Sequence, residues 1–342
     1  MKIALTGGGT AGHVTPHLAL ISELKKHFSD IIYIGSKSGI EKEIIGTQGI
    51  KYYSTTTTKL VRKHFLKNLT IPFKLLHAIR EAKKILKIEK PNVIFSKGGF
   101  VSLPTVLAGH RLHIPIIIHE SDLSLGLANK IASRYADVVC TTFKSTATSL
   151  KNGLYTGSPI RTNTIEFKNP FHNSKPIITI TGGSQGAQTI NKIIRQNLPT
   201  LCKDYNIIHI VGRGNSIHST QKGYVQIEFT DNILSIFRQS HIVISRAGSN
   251  TIFELLKLKV PMLLIPLPKG NSRGDQVDNA HYFKSNGFAE VLQQNELNST
   301  SLLAAINHIE NNYASYKNNM GREPLPDSKN LIINEILKLV KR

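Results

Sequence analysis

The sequence predicts an α/β protein in which one architectural unit occurs twice, each copy with helices on both faces of a parallel sheet. Three observations carry this. Short β-branched runs alternate with longer segments that are apolar at i, i+3, i+4 and i+7, the order that builds parallel sheets. The alternation lapses in the stretch "GSPIRTNTIEFKNPFHNSKP", which is polar and holds three prolines. It restarts with "IITITGGSQGAQTINKIIRQNL", again a strand, a glycine turn and a helix. At 342 residues the chain also exceeds the size at which a single core keeps growing. The expectation is two Rossmann-like domains with parallel sheets facing across a cleft. Their bounds are residues 1–156, a linker at 157–175, and residues 176–342, with the last helix a candidate to pack back on the first domain.

The elements follow in order. In the first half, strands are expected at 3–6, 31–35, 93–96, 114–119 and 137–141, separated by helical patterns such as "HLALISELKKHF" and "LLHAIREAKKILKIE". In the second half they are expected from 177, then at 206–211, 225–229, 242–245 and 261–265. Ligands of open α/β sheets sit beyond the carboxyl ends of the strands, so the two glycine turns should line the cleft.

Charge is the outlying bulk property. The net charge is +21, and residues 1–150 carry 21 basic and 9 acidic residues against 22 and 13 in 151–342, so no single tail explains it. Such a surface implies an anionic partner: nucleic acid, phospholipid or a phosphorylated substrate. The two cysteines, Cys140 and Cys202, are too few for a disulfide framework and read as core residues. The first six residues run straight into glycines, leaving no signal-peptide apolar region. The apolar runs "VPMLLIPLP" and "IPIIIH" are interrupted by proline and too short to span a bilayer. The chain thus reads as cytoplasmic, soluble or attached to a membrane surface from that side.

Gly7, Gly9 and Gly12 in "KIALTGGGTAGHVTPHLAL" fit the dinucleotide pattern G-x-G-x-x-G. A nicotinamide site needs an Asp or Glu ending the second strand, and "IIYIGSKSG" has none there. Ser36 and Lys37 leave room for a 2′-phosphate, which keeps an NADP oxidoreductase as one alternative. A Walker loop is excluded because no Gly-Lys-Ser/Thr follows. His13, in the first helical turn, is a candidate general base, although a lone histidine among 14 is more often a bystander. The second turn, "TGGSQGAQ", is the better phosphate cradle: Gly182 and Gly183 allow close backbone approach, Ser184 offers hydroxyl and amide, and a helix follows. Arg161 in "GSPIR" is a candidate fixed cation. Glu254, in the helix opened by "SRAGSNTIFE", is suited to accept from two ribose hydroxyls, or simply complements the helix N-terminus. Asp275, Gln276 and Asn279 in "SRGDQVDNA" suit hexose hydroxyls, or form a solvated cap. Lys59–Lys90 holds ten Lys or Arg and two Glu among Leu60, Phe65, Leu66, Leu69, Ile71 and Phe73. That mixture suits an anionic membrane surface, and a solvated helix face reads equally well for residues 75–88. No nucleic-acid-binding signature accompanies the charge, so no nucleic-acid partner is expected.

Seven motifs in register, "GGGTAGHVTP", "SKGGFVSLP", "HESDLSLGLANK", "GSPIR", "GGSQGA", "SRAGSNTIFE" and "SRGDQVDNA", resemble the MurG-type N-acetylglucosaminyltransferases of bacterial peptidoglycan synthesis over almost the whole chain. The resemblance implies a GT-B fold and inverting transfer of GlcNAc from UDP-GlcNAc to the muramyl 4-hydroxyl of undecaprenyl-linked lipid I, giving lipid II, on the cytoplasmic side of the membrane. It implies substrate-binding roles for Thr10, Ala11 and Gly12 near the donor sugar, Asn129 among polar cleft positions, and Arg161 and Ser184 at the diphosphate. It further implies Thr230 at uracil, Ser249, Asn250 and Thr251 near the diphosphate, Glu254 at ribose and Gln276 at the GlcNAc hydroxyls. His13 would be the catalytic base. Many members read H-E-Q-N where this chain has His119-Glu120-Ser121-Asp122, which makes Asp122 a second catalytic candidate. No D-x-D clamp accompanies these motifs, so no cofactor or metal is obligatory, with a divalent cation left open. A UDP-sugar transferase acting on another lipid, such as diacylglycerol, is the alternative within the same chemistry.

Overall fold

The structure, a computed structural model, describes residues 1–57, 70–161, 165–183, 185–270 and 273–341. Strands buried on both faces need no alternation of apolar and polar residues. β1 (Lys2–Thr6) shows this, with Ile3, Ala4 and Leu5 all fully buried. It pairs in parallel with β2 (Asp30–Ser36) on one side and β4 (Val93–Ser96) on the other, after β3 (Lys51–Thr55) has joined the far edge of β2. β5 (Ile116–Glu120), β6 (Val138–Thr141) and β7 (Gly153–Tyr155) extend the sheet in the opposite direction, giving the order β3-β2-β1-β4-β5-β6-β7. Sheet growth therefore reverses between β1 and β4, the switch point at which open α/β sheets bind ligands.

Each face of this sheet has its own core. Ile3, Leu5 and Phe95 face α1 (Thr15–His27) and the final helix α13 (Ser328–Val340), packing against Leu20, Leu24, Ile332 and Ile336. Ala4, Ile32, Ile34 and Ile94 face the other way, against Ile79, Ala82 and Leu86 of α3 (Ile71–Glu89) and Val106 of α4 (Leu103–His110).

The second sheet repeats the plan. β8 (Ile177–Thr181) is flanked by β9 (Asn206–Ile210) and β11 (Ile242–Ser245), with β10 (Tyr224–Ile227), β12 (Met262–Leu264) and β13 (Ala289–Val291) outside them, in the order β10-β9-β8-β11-β12-β13. Its switch point lies between β8 and β11. All pairings in both sheets are parallel. The α/β class expected from the sequence is the class observed.

Contacts divide the chain into one unit of residues 1–162 with 326–342 and another of residues 163–325. The expected bounds assign 326–342 to the second half, with the last helix a candidate to pack back on the first domain, as it does. The apolar stripe of α13 lies on the first sheet, where Ile332 and Ile336 are fully buried. The strands β3, β7 and β13 were not expected. All three contain half-exposed residues and run for five, three and three residues, so they lack the continuous apolar run that marks a strand buried on both faces.

Candidate active site

At the first switch point the chain leaves β1 through Gly7, Gly8 and Gly9 and enters a 3-10 turn, Ala11–His13, before α1. Gly8 and Gly9 have φ of 157° and 85°, and only Gly9 lies well inside the left-handed region that favours glycine. The Gly9 amide of this turn is answered from within the protein. Glu41, in α2 (Ile40–Gly46), is completely buried, and its carboxylate accepts from Gly9 N at 3.2 Å and Ser36 N at 3.0 Å, and from the Ser36 hydroxyl. A Cβ added to Gly8 would lie 2.6 Å from Glu41 Cδ. The space where a dinucleotide pattern would cradle a phosphate is therefore held by an internal carboxylate. The NADP alternative fails on the same contacts, because Ser36 is buried and gives both its N–H and its hydroxyl to Glu41.

His13 ends the 3-10 turn, half-buried, with its N–H bonded to Thr10 O at 3.1 Å. Thr10 is exposed, and Ala11 and Gly12 are half-buried. The His13 ring lies against a second glycine turn, Gly98 and Gly99, which follows β4: a Cβ on Gly99 would come within 2.9 Å of His13 Cδ2 and 2.3 Å of Gly8 O. Behind it, His17 is buried between Tyr33 and Phe95, and burial holds its imidazole at about 3.

β5 contributes the third part. Buried Glu120 accepts from Ser121 N at 2.8 Å, Asp122 N at 3.0 Å, Gly126 N at 3.0 Å and Asn129 Nδ2 at 3.0 Å. It thus shapes the turn that carries half-buried Asp122 and fixes Asn129, whose amide lies where a Cβ on Gly98 would be. Lys97, 1% exposed, places Nζ 2.6 Å from His119 Nδ1 and 2.8 Å from Ser121 Oγ. Burial pulls its ammonium down to about 7, against Glu120, Asp122 and Cys140, which favour the charge. Both cysteines are buried free thiols, and burial pushes that of Cys140 up to about 12. Thr10, Ala11, Gly12, His13 and Asp122 therefore belong to the turns at the carboxyl ends of β1 and β5, and Asn129 to the short helix Leu127–Ala132 that follows β5. Arg161 lies half-buried in irregular backbone at the end of the same unit.

In the second unit, the turn after β8 is differently furnished. Gly183 (φ 84°) donates its N–H to Thr181 Oγ1 at 3.2 Å, and a Cβ there would meet nothing within 4 Å among the described residues. Ser184 lies outside the described residues. Across the switch point, Ser249, Asn250 and Thr251 form the first turn of α9 (Ser249–Leu258), and half-buried Glu254 lies on its second. The preceding loop is anchored by Arg246, whose guanidinium donates to Ile265 O at 3.1 Å, Pro266 O at 3.3 Å and Gln294 Oε1 at 2.6 Å. Gln276, on α10 (Asp275–Ser285), accepts from Leu267 N at 2.9 Å through Oε1, which leaves its amide NH2 for other partners. Asn279 is turned inward instead, fully buried and donating to Ala247 O at 3.3 Å, which removes it from the surface expected to meet a sugar. Thr230 caps its own turn, accepting from Asn232 N at 3.0 Å. Among the described residues, no group of three or more His, Cys, Asp or Glu side chains is arranged to hold a metal ion.

Sequence reasoning missed Glu41, Lys97, Glu120 and Arg246. Each acts on a loop far from it in the chain or through complete burial, and neither shows as a local motif.

Comparison with known proteins agrees with this division. The Glycosyltransferase family 28 N-terminal domain matches residues 3–141 and the C-terminal domain of that family matches residues 177–336. The chain is 45% identical to the UDP-N-acetylglucosamine--N-acetylmuramyl-(pentapeptide) pyrophosphoryl-undecaprenol N-acetylglucosamine transferase of Clostridium botulinum (strain Loch Maree / Type A3), covering 100% of this chain and 99% of that protein. Its counterpart of the same name in Clostridium tetani (strain Massachusetts / E88) is 46% identical over 98% of each. In structure the chain is similar to Acinetobacter baumannii MurG, with a TM-score of 0.77 at 23% identity over 98% of this chain and 99% of that one. It is equally similar to the calicheamicin glycosyltransferase CalG4, with a TM-score of 0.77 at 12% identity over 100% and 98%. The likeness to CalG4 at so low an identity is one of fold, shared among glycosyltransferases of this architecture. With both of its domains matched and close relatives aligned from end to end, the chain belongs to glycosyltransferase family 28.

Proposed function

We propose that this chain transfers GlcNAc from UDP-GlcNAc to the muramyl 4-hydroxyl of undecaprenyl-pyrophosphoryl-MurNAc-pentapeptide, releasing UDP, in peptidoglycan synthesis. The observation that carries this reading is the 45% identity, over the full length, to enzymes named for that reaction. In this reading the second unit holds the donor. The turn at Gly182 and Gly183, Ser184 and the start of α9 receive the diphosphate, with Arg161 as an added cation. Glu254 takes the ribose hydroxyls, Thr230 lies by the uracil, and Gln276 reads the sugar. The first unit supplies the chemistry. His13 removes the proton of the acceptor hydroxyl as its oxygen bonds to the sugar's anomeric carbon. The bond from that carbon to the diphosphate breaks with inversion, its electron pair leaving on UDP, where amides and cations stabilise the developing charge. Thr10, Ala11, Gly12 and Asn129 line the reacting region, and Asp122 is the second candidate for the base.

No cofactor is needed for these steps. Turnover that survives chelation by EDTA supports a mechanism without a divalent cation. A lipid-linked acceptor also calls for a membrane surface. No helix among the described residues is long and apolar enough to cross a membrane. Within the basic segment Lys59–Lys90, residues 59–69 lie outside the described residues. In the remainder α3 exposes Phe73 (76%) and Leu76 (44%) beside Lys74 and Arg80, the mixture that settles at an anionic interface. This supports a peripheral position at a membrane surface, which the reading puts on the cytoplasmic side.

The test is incubation of the full chain with UDP-GlcNAc and a lipid I analogue. The disaccharide lipid and UDP in equal amounts are expected. Turnover only with diacylglycerol, or none with several UDP-sugars, would defeat the proposal.

A further inference from the structure

One charged side chain buried in the first unit, Lys97, has no part in the chemistry above. Lys97 leads into the second glycine turn, and its Nζ is buried between two acceptors. The direction of those bonds can be assigned. His119 Nε2 lies 2.9 Å from Gly157 O, a carbonyl that can only accept, so the ring proton is on Nε2 and Nδ1 presents a lone pair. Lys97 therefore donates to His119 Nδ1, and with a second N–H to Ser121 Oγ. The same Gly157 O accepts from Ser328 Oγ at 3.1 Å, at the start of α13. A continuous chain of buried hydrogen bonds thus runs from α13 through Gly157, His119 and Lys97 to Ser121, the residue before Asp122.

The turn bearing Asp122 is accordingly held from two sides. Glu120 collects its backbone amides, and Lys97 holds the Ser121 side chain. A lysine is a costly device for positioning alone, since a buried ammonium pays a large desolvation penalty that an apolar side chain would avoid. Its charge is felt by the groups that surround it: His119 and Glu120 on β5, Asp122 beyond that strand, Cys140 on β6 and His17 on α1. Of these, only Asp122 is a half-buried carboxylate in the loops of the candidate site.

We propose that Lys97 is a positioning residue for transfer, orienting the Ser121–Asp122 turn through Ser121 Oγ and placing a positive charge in the surroundings of Asp122. The role rests on the transferase reading of this site. Lys97 touches no substrate in this account; it acts through the turn. The direct consequence lies in the pH dependence of kcat. His13 acting as base gives a limb rising with pH, and loss of the Lys97 ammonium gives a limb falling above about 7.

The test compares wild type, Lys97→Met and Ser121→Ala in the full chain. Lys97→Met keeps the length and volume of the side chain without the charge. We expect its kcat at pH 7 to fall by about ten- to 100-fold, with the donor KM within about twofold, as misplacement of a turn rather than lost donor binding requires. Its pH profile is expected to keep the rising limb and lose the falling one. Ser121→Ala leaves the charge in place and is expected to lower kcat while keeping both limbs, so it decides the positioning role if Lys97→Met fails to fold. Amide exchange of residues 121–126 is expected to quicken in both variants, by about tenfold or more. This arm does not depend on turnover: an inactive wild type would defeat the transferase reading, and exchange would still decide whether Lys97 orders the turn. An unchanged falling limb in Lys97→Met, a kcat in Ser121→Ala equal to wild type, or unchanged exchange in the folded variants would overturn the proposal.

Discussion

A Cβ added at Gly8 in the first unit would lie 2.6 Å from a buried carboxylate, whereas one added at Gly183 in the second would meet nothing within 4 Å among the described residues. Both glycines follow the first strand of a doubly wound sheet and precede a helix, at equivalent switch points. Glu41 fills the approach to the first turn, lying against Gly8 and accepting from the Gly9 amide. Among the described residues, no such carboxylate lies against Gly183 in the second. A glycine pattern thus specifies a tight turn and a close approach, and the element packed against it decides what approaches. In the first unit the approach is made by the protein itself, which leaves the turn to carry His13. In the second, no described residue makes that approach at Gly183.

The largest effect expected from this contrast is on catalysis. His13→Ala should lower kcat by about 10²- to 10⁴-fold, the range for loss of a general base, with the donor KM within about twofold. Steady-state kinetics with UDP-GlcNAc and a lipid I analogue checks this. A variant with kcat near wild type and a raised donor KM would move His13 from chemistry to donor binding and would break the division between the units.

A second effect follows from histidines buried in the two units. Burial holds His17 at about 3 and His119 well below its ordinary value in the first unit, and His209 at about 3 in the second. In the unfolded chain each takes up its proton near 6.5, so between 6.5 and 3 the unfolded state binds more protons and stability is lost as pH falls. At pH 5 His17 and His209 each cost about 2 kcal/mol relative to pH 6.5, and His119 adds a cost of the same sign. With two of them in the first sheet's unit and one in the second's, amide exchange at pH 6.5 and pH 5 should show the larger loss of protection in β1, β4 and β5. Equal losses in the two sheets would contradict this.

The duplicated α/β plan was legible because its signals are local. A strand buried on both faces is an apolar run, and a turn into a helix displays its glycines. The edge strands were not legible, since β3, β7 and β13 contain half-exposed residues and carry little apolar pattern. The site divides in the same way. His13, Asn129 and Glu254 sit inside continuous motifs and could be singled out from the sequence. Glu41 could not, because in "GIEKEII" an acid at a helix start reads as ordinary complementation of the helix end. Lys97 in "SKGGF" reads as a surface lysine, since lysine is almost never fully buried. Only the folded sheet reveals that one fills a phosphate cradle and the other lies beneath the Asp122 turn. Asn279 shows the converse: a polar residue in a promising motif that folding turned inward.

The central claim is that the nucleotide belongs to the second unit and is excluded from the glycine turn of the first. Calorimetric titration of UDP into wild type, Glu254→Ala and Glu41→Gln tests it directly. Loss of a hydrogen-bonding carboxylate at the ribose should weaken UDP binding by about tenfold or more in Glu254→Ala, while Glu41→Gln, remote from the nucleotide, should bind within about twofold of wild type. The opposite pattern, with UDP affinity lost in Glu41→Gln and retained in Glu254→Ala, would contradict the account.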